Sequence, residues 1–153
     1  SIKGFDFSRK IKSDYKNRPI DLSLRFSLIR YNEMSFQADH NQVNFFFMAH
    51  YKRRYKNFPI RLFIGEGFSV AGNVPYVEGR ETRRISGRDS RIMNFLNIGF
   101  DFRLSNLTGR HSLKNIRLGL ADSHRSGVFR KIKLFNNTQG GSDFVTLFLE
   151  YDF

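Results

Sequence analysis

Three residues near the C-terminal end carry the types needed for nucleophilic acyl transfer: His124, Ser126 and Asp143. A serine hydroxyl is a weak nucleophile until a histidine takes its proton, and a carboxylate then fixes the imidazole tautomer and stabilises the imidazolium. His124 and Ser126 are two residues apart, so on a β-strand they share a face and come within side-chain reach. A His-x-Ser pair carries little information alone. Its meaning depends on which face of which element presents it, and on whether Asp143 arrives from a neighbouring strand.

The elements are read from strict alternation of apolar and polar residues. In Ile20–Ile29, Leu22, Leu24, Phe26 and Leu28 share one face, and Asp21, Ser23, Arg25 and Ser27 share the other. In Gln42–Tyr51, Val43, Phe45, Phe47, Ala49 and Tyr51 lie opposite Asn44 and His50. Ile60, Leu62, Ile64, Phe68 and Val70 form the next row. Ile92, Leu96, Ile98, Phe100, Phe102 and Leu104 follow, opposite Asn97, Gly99, Asp101 and Arg103. Ile116, Leu118 and Leu120 oppose Arg117 and Gly119; Val145, Leu147, Leu149, Tyr151 and Phe153 oppose Thr146, Glu150 and Asp152. Two weaker strands are expected near Ile2–Arg9 and Glu33–Asp39.

These rows predict an all-β fold, an eight-stranded antiparallel transmembrane barrel made from a single domain, 1–153. Each row approaches the roughly 9–11 residues that cross a bilayer at a tilt, and bacterial barrels use even strand numbers. A soluble β-sandwich shows the same alternation with its apolar face inward. The barrel is preferred because the polar faces carry Arg, Asp and Glu in nearly every strand, and because Gly and Asn inside the strands suit a narrow hydrogen-bonded lumen. Counting back from Phe153 puts the long connections Ala71–Arg91 and Gly127–Ser142 at one end, outside the cell. The connections Lys52–Pro59 and Ser105–Lys114 fall at the other end, in the periplasm.

Bulk composition is consistent with this reading without selecting it. The 153 residues hold 40% hydrophobic and 16% aromatic residues, with 18 Phe and no Trp, and no apolar run is long enough for a membrane helix. A net charge of +12 suits phosphates of either nucleic acid or lipopolysaccharide. No RNA-binding signature is present, so nucleic acid is not expected as a partner. The absence of Cys excludes disulfides and thiolate metal sites. His40, His50 and His111 have no ligand-like spacing, so neither metal nor cofactor is assigned. The chain opens at Ser1 without Met or a signal peptide and reads as a mature or trimmed chain.

Parity places the exceptions to the pattern. His124 and Ser126 continue the outward row of Ile116, Leu118 and Leu120; Asp143 continues that of Val145, Leu147 and Leu149. Asn94 falls in the row of Ile92 and Leu96, and Glu66 in that of Ile64 and Phe68. All five lie in the upper half of consecutive strands, so a polar patch is expected on the barrel exterior at outer-leaflet height. For Glu66 the alternatives are a headgroup-level position or a bulge at Gly65 or Gly67 that turns it inward.

The segment His124-Arg125-Ser126-Gly127, a loop, then Gly141-Ser142-Asp143 and a terminal strand resembles the PagL-type outer-membrane lipid A deacylases. The resemblance covers about the last 35 residues. It implies an enzyme of the bacterial outer membrane that removes an ester-linked acyl chain from lipid A in the outer leaflet. It also implies a triad of Ser126 as nucleophile, His124 as base and Asp143 as orienting acid. Gly127 stands where that family commonly has Asn, and Asp143 where it usually has Glu. Gly65-Glu66-Gly67-Phe68-Ser69, Val74-Pro75-Tyr76-Val77-Glu78, Asn94-Phe95-Leu96 and Gly140-Gly141-Ser142 are similar to an uncharacterised related outer-membrane group. There the position of Asp143 is often Asn, which brings Glu66 and Glu78 in as possible acids. Substrate contacts are expected from Asn94, from backbone amides near Gly127, and from loop cations including Arg83, Arg84, Arg125, Arg130 and Lys131. The competing expectation is a barrel without chemistry, acting structurally in an envelope assembly.

Overall fold

The protein is described by a computed structural model over residues 1–127 and 139–152. Among these residues lie seven strands: β1 (Ile2–Lys12), β2 (Ile20–Tyr31), β3 (His40–Tyr55), β4 (Phe58–Ala71), β5 (Ile92–Arg103), β6 (Ile116–Ser126) and β7 (Gly141–Tyr151). They form one antiparallel sheet in chain order, each strand paired with its sequence neighbour. Two helices interrupt the meander, α1 (Tyr76–Ser86) between β4 and β5 and α2 (Leu104–Thr108) after β5.

The tightest connection joins β3 to β4. Lys56 and Asn57 both have positive φ (45° and 68°), and a two-residue turn of this left-handed kind matches the twist of the strands it joins. The β2–β3 connection contains the main departure from expectation. Glu33–Asp39 is not a strand. Met34 and Ser35 adopt positive φ (49° and 70°), while the side chains of Asn32 and Asp39 accept the amides of Met34 and Glu33. Such local side-chain bonds compete with a ladder. The expected eighth strand is therefore absent from this segment, and β1 and β7 are the edges of the sheet.

The sheet curls into a half-barrel. Arg25 on β2 and Arg61 on β4 both reach Glu150 on β7, the latter at 2.5 Å, and the rings of Tyr31 on β2 and Phe144 on β7 meet edge-on at 5.4 Å. The concave side holds a small apolar core of Phe46, Met48, Phe63, Phe95 and Ala121, with Phe148 against it. Glycines in the inner rows make room for these rings. A Cβ at Gly99 would stand 2.6 Å from Phe63 Cζ, and one at Gly119 would stand 2.3 Å from Phe148 Cζ. Below the core, Asp101 binds Arg61 and Arg117, and Arg117 binds Asp152, so the buried charges are paired.

The convex side is the apolar one. Val145, Leu147 and Leu149 are 77%, 71% and 69% exposed, and Phe45, Phe47, Ile98 and Phe100 are exposed as well. The buried residues of β2 and β3 are largely polar, among them Ser23, Arg25, Ser27, Gln42 and Asn44. The alternation is thus inverted relative to a soluble sandwich.

The connection 72–91, containing α1, and the ends of the β6–β7 connection at Gly127 and Gly140 lie at the same end of the sheet as the 32–39 turn. Asp152 lies at the opposite end, and Phe153 lies outside the described residues. The helix in this connection was not expected from the sequence. It starts after Pro75, carries Glu78 in its first turn and Arg83 and Arg84 in its last, and ends at Gly87 with φ 68°. It lies against β7 across the mouth of the half-barrel, burying Glu78, Gly79 and Thr82.

Candidate functional site

Register fixes which side chains meet. His124 on β6 stands directly opposite Asp143 on β7 and Leu96 on β5, and Leu96 stands opposite Glu66 on β4. One row higher, Ser126 stands between Asn94 on β5 and Gly141 on β7. All belong to the convex rows. The five polar residues expected to share a patch therefore do so. The β3–β4 and β4–β5 registers run through Gly65 and Gly67 without a shift, so no bulge turns Glu66 inward, and it is exposed.

His124 Nδ1 and Asp143 Oδ1 are 2.5 Å apart. A carboxylate only accepts, so the shared proton belongs to Nδ1, and in the neutral imidazole Nε2 carries the lone pair. This is the tautomer a general base requires. The imidazole is about one-third exposed, and the carboxylate is two-thirds exposed. Ser126 lies about 6.8 Å further along the strand, on the same face, at the spacing of two strand residues. Among the described residues no hydrogen bond joins it to His124, whose ring is held by Asp143. Asn94, paired across from Ser126, is the nearest side-chain amide by register.

Two candidate acids are not placed to hold His124. Glu66 is two strand spacings away, about 9.6 Å, with Leu96 between. Glu78 lies inside the half-barrel, fully buried, where Arg125 Nη1 donates to its two oxygens at 2.8 and 3.0 Å and Ser142 Oγ donates at 3.0 Å. Burial pushes the Glu78 carboxyl up, while Arg125 and Ser142 pull it back; burial prevails.

The cations also fall differently from expectation. Arg125 is 1% exposed and points inward, opposite to His124, because adjacent strand residues face opposite sides. Its guanidinium also donates to the carbonyl of Arg91 at 3.0 Å, so it ties α1 and the start of β5 to the barrel rather than meeting a ligand at the surface. Arg83 pairs with Asp89 and Arg84 with Glu81, both exposed. The Gly127 amide is directed to the Gly140 carbonyl at 3.3 Å, which occupies the backbone donor expected to serve an oxyanion. Arg130 and Lys131 lie outside the described residues.

Sequence reasoning passed over Asp122. It stands two residues before His124 in the same convex row, between Ile98 and Val145, with Oδ1 buried and without a hydrogen-bond partner among the described residues. The parity that located His124 would have located it too. The Glu78–Arg125–Ser142 cluster was less accessible, because its acid comes from a helix that alternation does not reveal.

The geometry can support proton transfer from a hydroxyl to His124 Nε2 on an exposed apolar surface, with Asp143 behind the ring. No family model, curated protein or solved structure matches the chain.

Proposed function

We propose that this protein is an esterase of the bacterial outer membrane that removes an ester-linked acyl chain from lipid A. The observation that carries the reading is the His124 Nδ1–Asp143 Oδ1 bond of 2.5 Å on a convex apolar face, with Ser126 next in the same row. In the proposed setting the convex face meets lipid. The half-barrel of antiparallel strands is read as part of a closed, even-numbered barrel. The paired charges on the concave side would then fill a closed lumen, and the α1 end would stand at the outer leaflet, where lipid A resides.

The reaction follows the serine-esterase scheme. Ser126 Oγ attacks the acyl carbonyl carbon while His124 Nε2 takes its proton. The Asn94 amide is positioned by register to donate to the oxyanion. Collapse of the tetrahedral intermediate breaks the ester C–O bond, and His124 returns the proton to the departing alcohol. Water, deprotonated by His124, then attacks the acyl carbon; the bond to Ser126 Oγ breaks, His124 returns the proton to Oγ, and the fatty acid leaves. The Ser126–His124 hydrogen bond forms when substrate packs the ring toward the hydroxyl, since catalytic bonds are commonly loose without substrate.

The test is fatty-acid release from lipid A in detergent micelles, followed by mass spectrometry. Wild type releases one acyl chain. Ser126→Ala releases none and retains the strand signature in circular dichroism. No release by wild type across lipid A species, or unchanged release by Ser126→Ala, would favour a barrel with a structural role in the envelope.

A further inference from the structure

Between α1 and the start of β7 runs a groove of about 450 Å³ whose walls include Val77, Arg80, Glu81, Ser142, Asp143 and Phe144. It opens beside the catalytic row, because Asp143, which holds His124, is part of its wall. The groove is amphipathic. Val77, 59% exposed, and Phe144 supply apolar surface, while Arg80 supplies a guanidinium.

The other arginines of α1 are engaged. Arg83 pairs with Asp89, and Arg84 holds Glu81 through bonds of 2.9 and 3.2 Å. Glu81 thus has its carboxylate directed to Arg84, although it shares the groove wall with Arg80. Arg80 is exposed, and among the described residues it makes no salt bridge; its charge reaches Glu81 only at longer range. An exposed guanidinium beside an apolar wall fits an amphiphile bearing a phosphate. The planar fork of Arg matches phosphate oxygens in a bidentate manner, and the apolar wall takes the first carbons of an acyl chain.

We propose that this groove seats the phosphate-bearing headgroup of an acylated amphiphile, and that Arg80 is the positioning residue that reads the phosphate. The inference rests on the esterase reading for its consequence, which is alignment of one particular ester with Ser126. The binding step itself is independent of turnover.

The test uses Ser126→Ala protein in a nonionic detergent, titrated with phosphatidic acid, diacylglycerol or inorganic phosphate. Phosphatidic acid should bind more tightly than diacylglycerol, and Arg80→Ala should weaken it about tenfold or more, the worth of a charge-assisted hydrogen bond. Diacylglycerol binding should not change. Arg80→Lys should restore only part of the loss, and Arg110→Ala, at the other end of the sheet, should have no effect. Equal binding of phosphatidic acid and diacylglycerol, an unaffected Arg80→Ala variant, or inorganic phosphate binding as tightly as phosphatidic acid would overturn the proposal. If wild type hydrolyses no lipid but Arg80-dependent discrimination persists, the esterase reading falls and the headgroup seat stands. If lipid A is hydrolysed without such discrimination, the headgroup seat falls alone.

Discussion

Replacing Asp143 by Asn removes the charge behind His124 while keeping an oxygen that can accept from Nδ1. The size of the effect depends on the dielectric around the pair. With charge centres about 4 Å apart, the attraction between carboxylate and imidazolium is about 1 kcal/mol in bulk water and about 4 kcal/mol at an effective dielectric near 20. Asp143 is two-thirds exposed in the absence of lipid, which places the free protein near the lower figure. A lipid substrate covering the face would move it toward the higher. Since each 1.36 kcal/mol is a tenfold change in rate, Asp143→Asn should lower kcat by about 5-fold to 1000-fold. The loss should be larger on bilayer or micelle substrates than on a short-chain water-soluble ester, because only the former exclude water from the pair. The assay is initial-rate fatty-acid release with both substrate types, alongside Ser126→Ala as background. A kcat unchanged on lipid substrates would refute the assignment of Asp143. An equal loss on both substrates would refute the dielectric argument. Asp122→Asn, measured in parallel, reports whether the second carboxylate in the row contributes.

Arg125→Ala should undock α1, because it leaves the buried Glu78 carboxylate with Ser142 alone; removing one member of such a pair costs about 3–5 kcal/mol. Faster hydrogen exchange over residues 76–86 would register this, and unchanged exchange would count against the anchoring role. The pH dependence has a definite sign. Glu78 is raised by burial above its ordinary value of 4.5, so its contribution to α1 docking is complete below that value and falls as pH rises through the raised one. The Arg125→Ala defect should therefore shrink on acidification, when Glu78 takes a proton. Leu147→Arg tests the environment of the convex face. An exposed leucine in water would tolerate it within about 0.5 kcal/mol, whereas a lipid-facing one near the midplane would lose about 2–4 kcal/mol in urea titration from vesicles.

Alternation alone determined six strands, β2 to β7, their inner and outer faces, and therefore the convex placement of His124, Ser126, Asp143, Asn94 and Glu66. A period of two is a local property, and nearest-neighbour pairing carries it from strand to strand. Parity applied throughout would also have turned Arg125 inward and added Asp122. Other features belonged to tertiary structure. Glu33–Asp39 is a turn because Asn32 and Asp39 bond the local backbone, a competition that composition does not resolve. Helix α1 was hidden because its buried face is Glu78, Gly79 and Thr82, so it lacks an apolar period; its order comes from a buried arginine 47 residues away. The choice among acids was likewise tertiary. Register sets Asp143 against His124, puts Leu96 between His124 and Glu66, and leaves Glu78 on the other side of the sheet. Sequence spacing contains none of these distances, because they arise from strands brought side by side by pairing.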